Sequence, residues 1–284
     1  MSGWDVAVVG AGIAGLTAAR TCAEHGLRTV AYDRLAPGGQ LINLGELTGF
    51  PTPDGSPAGG PDFAGALLDG AMSAGVEVAY GEVSALAPGA PLTLTTDDGP
   101  AEARAVIVAT GLTPGRLDIP DADAWVGRGL SECATCDGPL HAGRDVVVAG
   151  GDEWAAREAI ELAGIAAHVT VVAPGPPAWT PAAGARLTRP ANVDVRTHTG
   201  VAGLDGDAGI TEVRLTDGTS VKASAVFVYT GKTPRRELLD ALPGDAGLAV
   251  YPAGDVASSA TPYLLTAAAD GLRTGLAVCA RLLA

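Results

Sequence analysis

"DVAVVGAGIAGLTAARTCAEHGLRTVAYD", Asp5 to Asp33, reads as an apolar strand, a glycine turn, an alanine-rich helix and a second strand that ends in an acid. This is the layout of a dinucleotide-binding βαβ unit. Gly10 permits the tight turn, Gly12 lets the backbone approach a pyrophosphate, and Gly15 lets the helix pack closely on the strand. Asp33, 18 residues past Gly15, can accept from a ribose hydroxyl. A bare GxGxxG is a weak signal, but strand, helix and acid all agree here, so a bound dinucleotide is expected.

Working outward, the same unit is written a second time as "DVVVAGGDEWAAREAIELAGIAAHVTVVAP", Asp145 to Pro174. Laid over the first through the turn, Gly150 falls on Gly10, Asp152 on Gly12 and Ala155 on Gly15, with Pro174 in the place of Asp33. A carboxylate where backbone should meet pyrophosphate adds bulk and like charge, a penalty on the order of several kcal/mol at close range and partial burial. Pro174 cannot accept from a ribose. The alternative is that Asp152 swings outward and a nicotinamide cofactor still binds, since surface loops readjust. A further echo joins "AVIVATGLTP" (Ala105 to Pro114) and "AVFVYTGKTP" (Ala225 to Pro234), each an apolar strand running into a Thr-Gly turn. These read as the closing strands of two similar domains. "AGD", Ala253 to Asp255, sets an acid between a short strand and the last helix, positioned like a ligand hook on the first domain.

The 284 residues suffice for two domains with separate cores, and 47% hydrophobic against 18% charged residues describes a globular α/β chain. A net charge of −14 would repel phosphate backbones and anionic membrane surfaces, leaving only a local basic spot at Lys232, Arg235 and Arg236. No signal peptide or transmembrane run is visible, so the expected location is cytoplasmic. "SECATCDG", Ser131 to Gly138, holds two of the four cysteines, two residues apart and followed by an acid. In a reducing compartment such a pair is more often catalytic or metal-binding than a structural bridge.

Taken together, "GAGIAG", "GGQL" (Gly38 to Leu41), "TGFP" (Thr48 to Pro51), "ATG" (Ala109 to Gly111), "GRGLSECATCDG" (Gly127 to Gly138), "TGKTP" and "AGD" resemble, in order and over essentially the whole chain, the low-molecular-weight thioredoxin reductases. The resemblance implies an α/β fold of two Rossmann-like three-layer domains. An FAD domain would be built from residues 1–114 and 236–284, with an NADPH-domain-like unit inserted at about 115 to 235. It implies FAD contacts from Gly10, Gly12, Gly15, Asp33, Gly39, Gln40, Thr110, Gly111 and Asp255. It also implies Cys136 as the flavin-proximal sulfur, Cys133 as the exchanging sulfur, Asp137 as acid/base, and a homodimer. A CxxC at the start of a helix has one thiol pKa lowered by amide dipoles and the neighbouring sulfur. Zinc would want four ligands, yet Cys22 and Cys279 stand alone in alanine-rich helical patterns and the histidines form no HxxxH pair. Both cysteines read as inert core. His141, five residues past Cys136, could serve as a base, though an exposed "LHAG" turn is the plainer expectation.

The departures from that family matter as much. The second turn reads "GGDEWA", and its strand ends in "VVAPGPPAW" with no Arg or Lys until Arg186, so the Arg clamp that holds a phosphate monoester is missing. The stretch between "TGKTP" and "AGD" is short, and "PYLL", Pro262 to Leu265, replaces the expected flavin-edge contacts. The expected function is an FAD-dependent thiol-disulfide oxidoreductase working without NADPH, favoured as a dithiol oxidase with O₂ as acceptor. A reductase of a thioredoxin-like protein, fed by ferredoxin or NADPH, is the alternative. A non-enzymatic flavin redox sensor is the third, against which the intact acid after the CxxC argues.

Overall fold

The computed structural model describes residues 3–45, 47, 59–244, 249–258 and 263–284; the "TGFP" stretch, most of the loop Pro51 to Pro61, and Pro262 lie outside the described residues. The chain divides into two compact units, Met1–Thr113 with Pro234–Ala284, and Pro114–Thr233.

The first unit opens with β1 (Trp4–Val9), α1 (Ile13–Glu24), β2 (Thr29–Asp33), α2 (Gly60–Ser73), β3 (Glu77–Tyr80), β4 (Val83–Ala87), β5 (Leu92–Thr96) and β6 (Gly99–Val108). Its sheet runs β3-β2-β1-β6-β5-β4, with Val250–Pro252 beside the end of β6. The β2–β3, β1–β2 and β1–β6 pairs are parallel and the β4–β5–β6 meander is antiparallel. Alternate residues of β1 serve two cores. Val6 and Val8 pack with Leu16, Ile107 and Val278 under the helices, while Ala7 and Val9 pack with Val30, Leu92 and Leu94 on the other face. Burial on both faces is why the strand reads as an unbroken apolar run. The helix layer is closed by Leu264–Leu283, against which α1 lies so tightly that a Cβ on Gly271 would sit 2.2 Å from the Ala14 carbonyl oxygen.

The second unit repeats this plan. Its parallel sheet runs Val193–Thr197, His168–Ala173, Asp145–Ala149, Ala225–Val228, Leu130–Ser131. The helices are α3 (Ala134–Asp137), α4 (Glu153–Ala163) and α5 (Pro181–Leu187). Val146, Val148 and Phe227 face Ala155, Ala159 and Leu162 of α4, and Val147, Ala149 and Val226 face Leu204, Val213 and Leu215 of a three-stranded antiparallel sheet. Each unit is thus a Rossmann-like three-layer α/β body, the fold class expected from the sequence.

The duplication extends to single hydrogen bonds. Gly10 N donates to Tyr32 O at 2.8 Å and Gly150 N to Val172 O at 2.9 Å. Ala109 N donates to Val9 O and Tyr229 N to Ala149 O, both at 2.7 Å. This register corrects one sequence assignment: Val172 matches Tyr32, so Ala173 and not Pro174 occupies the place of Asp33. The two units keep one constant offset from Gly10 and Gly150 through Tyr32 and Val172, so counting along the sequence also puts Ala173 there. The chemical conclusion survives, since alanine has no acceptor either. Among the described residues, no helix is long and apolar enough to cross a membrane.

Candidate functional site

Cys133 and Cys136 form a disulfide whose Cα atoms are 5.3 Å apart. Cys133 is the N-cap of the four-residue α3, and its sulfur accepts from Cys136 N at 3.1 Å. Ser131 organises the approach. Its hydroxyl accepts Cys133 N at 3.0 Å and lies 2.6 Å from Asp137 Oδ2, the carboxylate that follows the pair. Thr135 donates to Glu161 of α4 at 2.7 Å, and the Tyr229 hydroxyl accepts Ala134 N at 2.9 Å. Every residue from Cys133 to Asp137 is therefore held by a hydrogen bond. Cys136 is exposed and Cys133 half-buried.

Within the first unit, the turns that the sequence singled out converge on the start of α1. Gly10, at φ +100°, abuts the Thr-Gly turn: a Cβ there would lie 2.4 Å from Ala109 O and 3.1 Å from Thr110 N. A Cβ on Gly15 would fall 1.8 Å from Gly10 O, so that glycine is required for the helix to close on the turn. Gly39 packs against Gly12, with Gly38 N donating to Ala11 O at 2.7 Å, which brings the "GGQL" turn and its Gln40 alongside. Asp33 reaches in from β2 and accepts Ala11 N at 2.9 Å. Thr110 Oγ1 donates to Arg235 O at 2.7 Å, and Arg235 N to Gly111 O at 2.9 Å, which fixes that turn. The "AGD" turn meets α1 where a Cβ on Gly254 would lie 2.6 Å from Ala14 Cβ, and Asp255 lines an adjoining cleft of about 490 Å³ with Asp270 and Arg273. Asp270, missed in the sequence, accepts Gly254 N at 2.6 Å and pins this turn.

An FAD fits this cradle. Gly12 caps α1 with no side-chain hydrogen bond, and a Cβ on it would meet nothing nearer than Gly39 Cα at 3.9 Å. The amides at the helix start and the space before them remain for a pyrophosphate.

The matching turn of the second unit differs at that point. Asp152 caps α4, its carboxylate accepting Ala155 N at 2.9 Å. It has neither swung outward nor been left to project; it occupies the helix end itself. The segment after His168–Ala173 folds back over the turn: Ala178 bridges to Asp152 and donates to Gly151 O at 2.6 Å, while Thr180 N donates to Glu153 at 2.7 Å. Lys232 lies over the Trp154 ring at the same edge.

His141 sits half-buried in the LHAG turn, whose Leu140, Ala142 and Gly143 are exposed as expected; its ring is edge-on to Phe227 with Nδ1 3.0 Å from Ser224 Oγ. Burial, aided by Arg144, lowers its pKa against the pull of Asp137. Cys22 and Cys279 are free and buried, and burial raises both thiols. Among the described residues no group of three or more His, Cys, Asp or Glu could hold a metal ion.

The profile of the pyridine nucleotide-disulphide oxidoreductase family matches residues 4–269. Thioredoxin reductase of Treponema pallidum is 31% identical over 288 residues, covering 94% of each chain, and that of Listeria innocua is 31% identical over 94% of this chain and 90% of its own. Among solved structures, Lactococcus lactis thioredoxin reductase superposes with a TM-score of 0.90 at 25% identity over 99% of both chains. That of T. acidophilum gives 0.88 at 26% over the whole of both. The chain belongs to the pyridine nucleotide-disulphide oxidoreductase family. Within it, it is an FAD-dependent disulfide oxidoreductase of the thioredoxin reductase kind.

Proposed function

We propose that the chain is a dithiol oxidase, with FAD held in the first unit, Cys133 and Cys136 as a reversible disulfide, O₂ as acceptor and no nicotinamide cofactor. The reading rests on the Asp152 carboxylate, bonded to Ala155 N at 2.9 Å at the helix end where a pyrophosphate would dock. A dinucleotide would have to displace a side chain that already satisfies that end and bring like charge against it. The strand end that follows has no Arg or Lys between Val171 and Arg186, and the lysine at this edge, Lys232, is laid over the Trp154 ring.

Gly10, Gly12, Gly15, Asp33, Gly39, Gln40, Thr110, Gly111 and Asp255 are the residues assigned to hold FAD. Bound FAD supplies the two-electron exchange that passes reducing equivalents from the cysteine pair to O₂, which leaves as hydrogen peroxide. The cysteines do the sulfur chemistry. A substrate thiolate attacks Cys133, forming a mixed disulfide as the Cys133–Cys136 bond breaks, and Cys136 takes a proton with Asp137 as its acid/base partner. The second substrate thiol attacks the substrate sulfur, expels Cys133 and closes the product disulfide, so two electrons and two protons have moved to the pair. The Cys136 N–H, 3.1 Å from Cys133 Sγ, steadies the sulfur that leaves. Ser131, bonded to Asp137 at 2.6 Å, holds the acid in place.

A second reading, reduction of a thioredoxin-like protein with electrons from NADPH or ferredoxin, is favoured by relatives named thioredoxin reductase at 31% identity over 94% of this chain. Anaerobic stopped-flow separates the two. Millimolar NADPH is expected to leave the flavin absorbance unchanged for seconds while a dithiol bleaches it, with peroxide appearing when air returns. Bleaching by NADPH within seconds would sink the oxidase reading, and bleaching by reduced ferredoxin alone would install the second.

The same reading makes the protein a cytoplasmic homodimer. Two buried free thiols, Cys22 and Cys279, suit a reducing compartment. Leu265, Leu272, Leu276 and Leu283 are each 45–56% exposed along one stripe of the C-terminal helix, an apolar face suited to a second copy. Light scattering should give twice the 28.1 kDa chain mass, and L272D/L276D should halve it. An unchanged mass in that variant would remove the stripe from the interface.

A further inference from the structure

Glu158 of α4 is 5% exposed, and both of its carboxylate oxygens are engaged. Trp154 Nε1 donates to Oε1 at 2.8 Å and the Tyr229 hydroxyl to Oε2 at 3.1 Å. On its own oxygen the same hydroxyl accepts Ala134 N at 2.9 Å. Amide and indole N–H groups only donate, so with Glu158 ionised the tyrosine proton goes to the carboxylate. An ordered chain of hydrogen bonds thus runs from a buried carboxylate to the amide that follows Cys133. Among the described residues no ion pair within 4.0 Å neutralises Glu158. Burial, with Glu161, raises its pKa, while Trp154, Tyr229 and Arg157 pull the other way. The disulfide chemistry described above makes no use of Glu158, Trp154 or Tyr229.

We infer that Glu158, acting through Tyr229, is a positioning residue that sets the redox poise of the Cys133–Cys136 couple. Reducing this disulfide with a dithiol breaks one S–S bond and forms another, and delivers two electrons and two protons to the pair. To the extent that one sulfur of the reduced pair is a thiolate, a negative charge on Glu158, two hydrogen bonds from the amide that follows Cys133, disfavours the reduced state by like-charge repulsion in a partly desolvated site. Trp154 and Tyr229 favour the charged form of Glu158 by donating to it, against burial, and Tyr229 anchors the first amide of α3 to it. The native network therefore makes the reduced pair the stronger reductant. This rests on the disulfide chemistry of the family and not on the direction of flow, so a result in favour of NADPH leaves it standing.

The test is the thiol–disulfide equilibrium of the FAD-loaded protein in dithiothreitol redox buffers at pH 7.5. Free thiols are trapped by alkylation and read on the peptide that carries Cys133 and Cys136. E158Q keeps the side-chain size and removes the charge; it should shift the equilibrium toward the dithiol about fivefold, or about 20 mV at 29.6 mV per tenfold. Y229F removes one of the two donors that favour the charged form of Glu158 and should shift it the same way, while E158D should return most of the way to the native value. E158Q and Y229F both within twofold of the native protein, or shifted toward the disulfide, would overturn the assignment. So would loss of the folded state in both, judged by circular dichroism, since the network would then be a structural clamp.

Discussion

Replacing either cysteine of the pair by serine should lower thiol–disulfide turnover by on the order of a thousandfold or more, with FAD still bound, because a single sulfur cannot close the intramolecular disulfide that carries both electrons. The two variants should differ in what they trap. Cys133 is the N-cap of α3 with the Cys136 amide 3.1 Å from its sulfur, a bond that survives when residue 136 is serine and that favours the thiolate. Given the oxidised, disulfide form of the substrate, Cys136→Ser should accumulate a mixed disulfide on Cys133 as the substrate S–S bond breaks and its other sulfur leaves as a thiol, visible as an added mass, whereas Cys133→Ser should not. Exposure alone argues the reverse, since Cys136 is the more exposed residue. Mass appearing only on Cys133→Ser would exchange the two roles.

Gly12→Asp should abolish FAD retention, with affinity falling by about a thousandfold or more, while leaving the apoprotein folded. A side chain at Gly12 has room, with only Gly39 Cα within 4 Å at 3.9 Å, so the empty fold accepts it. A carboxylate there would do for α1 what Asp152 does for α4, capping the helix and meeting a pyrophosphate with like charge. At about 1.4 kcal/mol per tenfold, a loss of roughly 4 kcal/mol corresponds to that thousandfold. Gly15→Ala is the contrast, because its Cβ would lie 1.8 Å from Gly10 O and damage the turn itself. A Gly12→Asp protein that purifies fully yellow would remove the first unit as the FAD site.

The fold was legible because its signals are local: glycines at fixed spacing, apolar strands and a unit that repeats. Site residues with backbone roles were equally legible, since Gly10 and Gly15 meet atoms that any Rossmann turn would place there. The slot of Asp33 was open to counting as well, since Ala173 lies as far past Gly150 as Asp33 lies past Gly10. One kind of information was not. Side-chain networks between distant segments leave no spacing behind them: Tyr229 reaches Ala134 across 95 residues and Glu158 across 71. Ser131 did carry a signal, as a hydroxyl two residues before Cys133 in the stretch already singled out. Asp152 was read as an obstruction; its capping bond to Ala155 shows that it also stabilises the helix it closes.

That bond makes the two halves of this duplicated fold thermodynamically unlike. In the first unit the bare cap at Gly12 leaves helix amides to be satisfied by whatever binds, so occupancy and folding free energy are linked, and stability rises with the logarithm of free ligand concentration. In the second unit Asp152 meets the same requirement from within the chain, so that helix end is satisfied with no ligand present. A domain freed in this way can lose its ligand without losing its shape, and go on serving as the rigid mount of a disulfide.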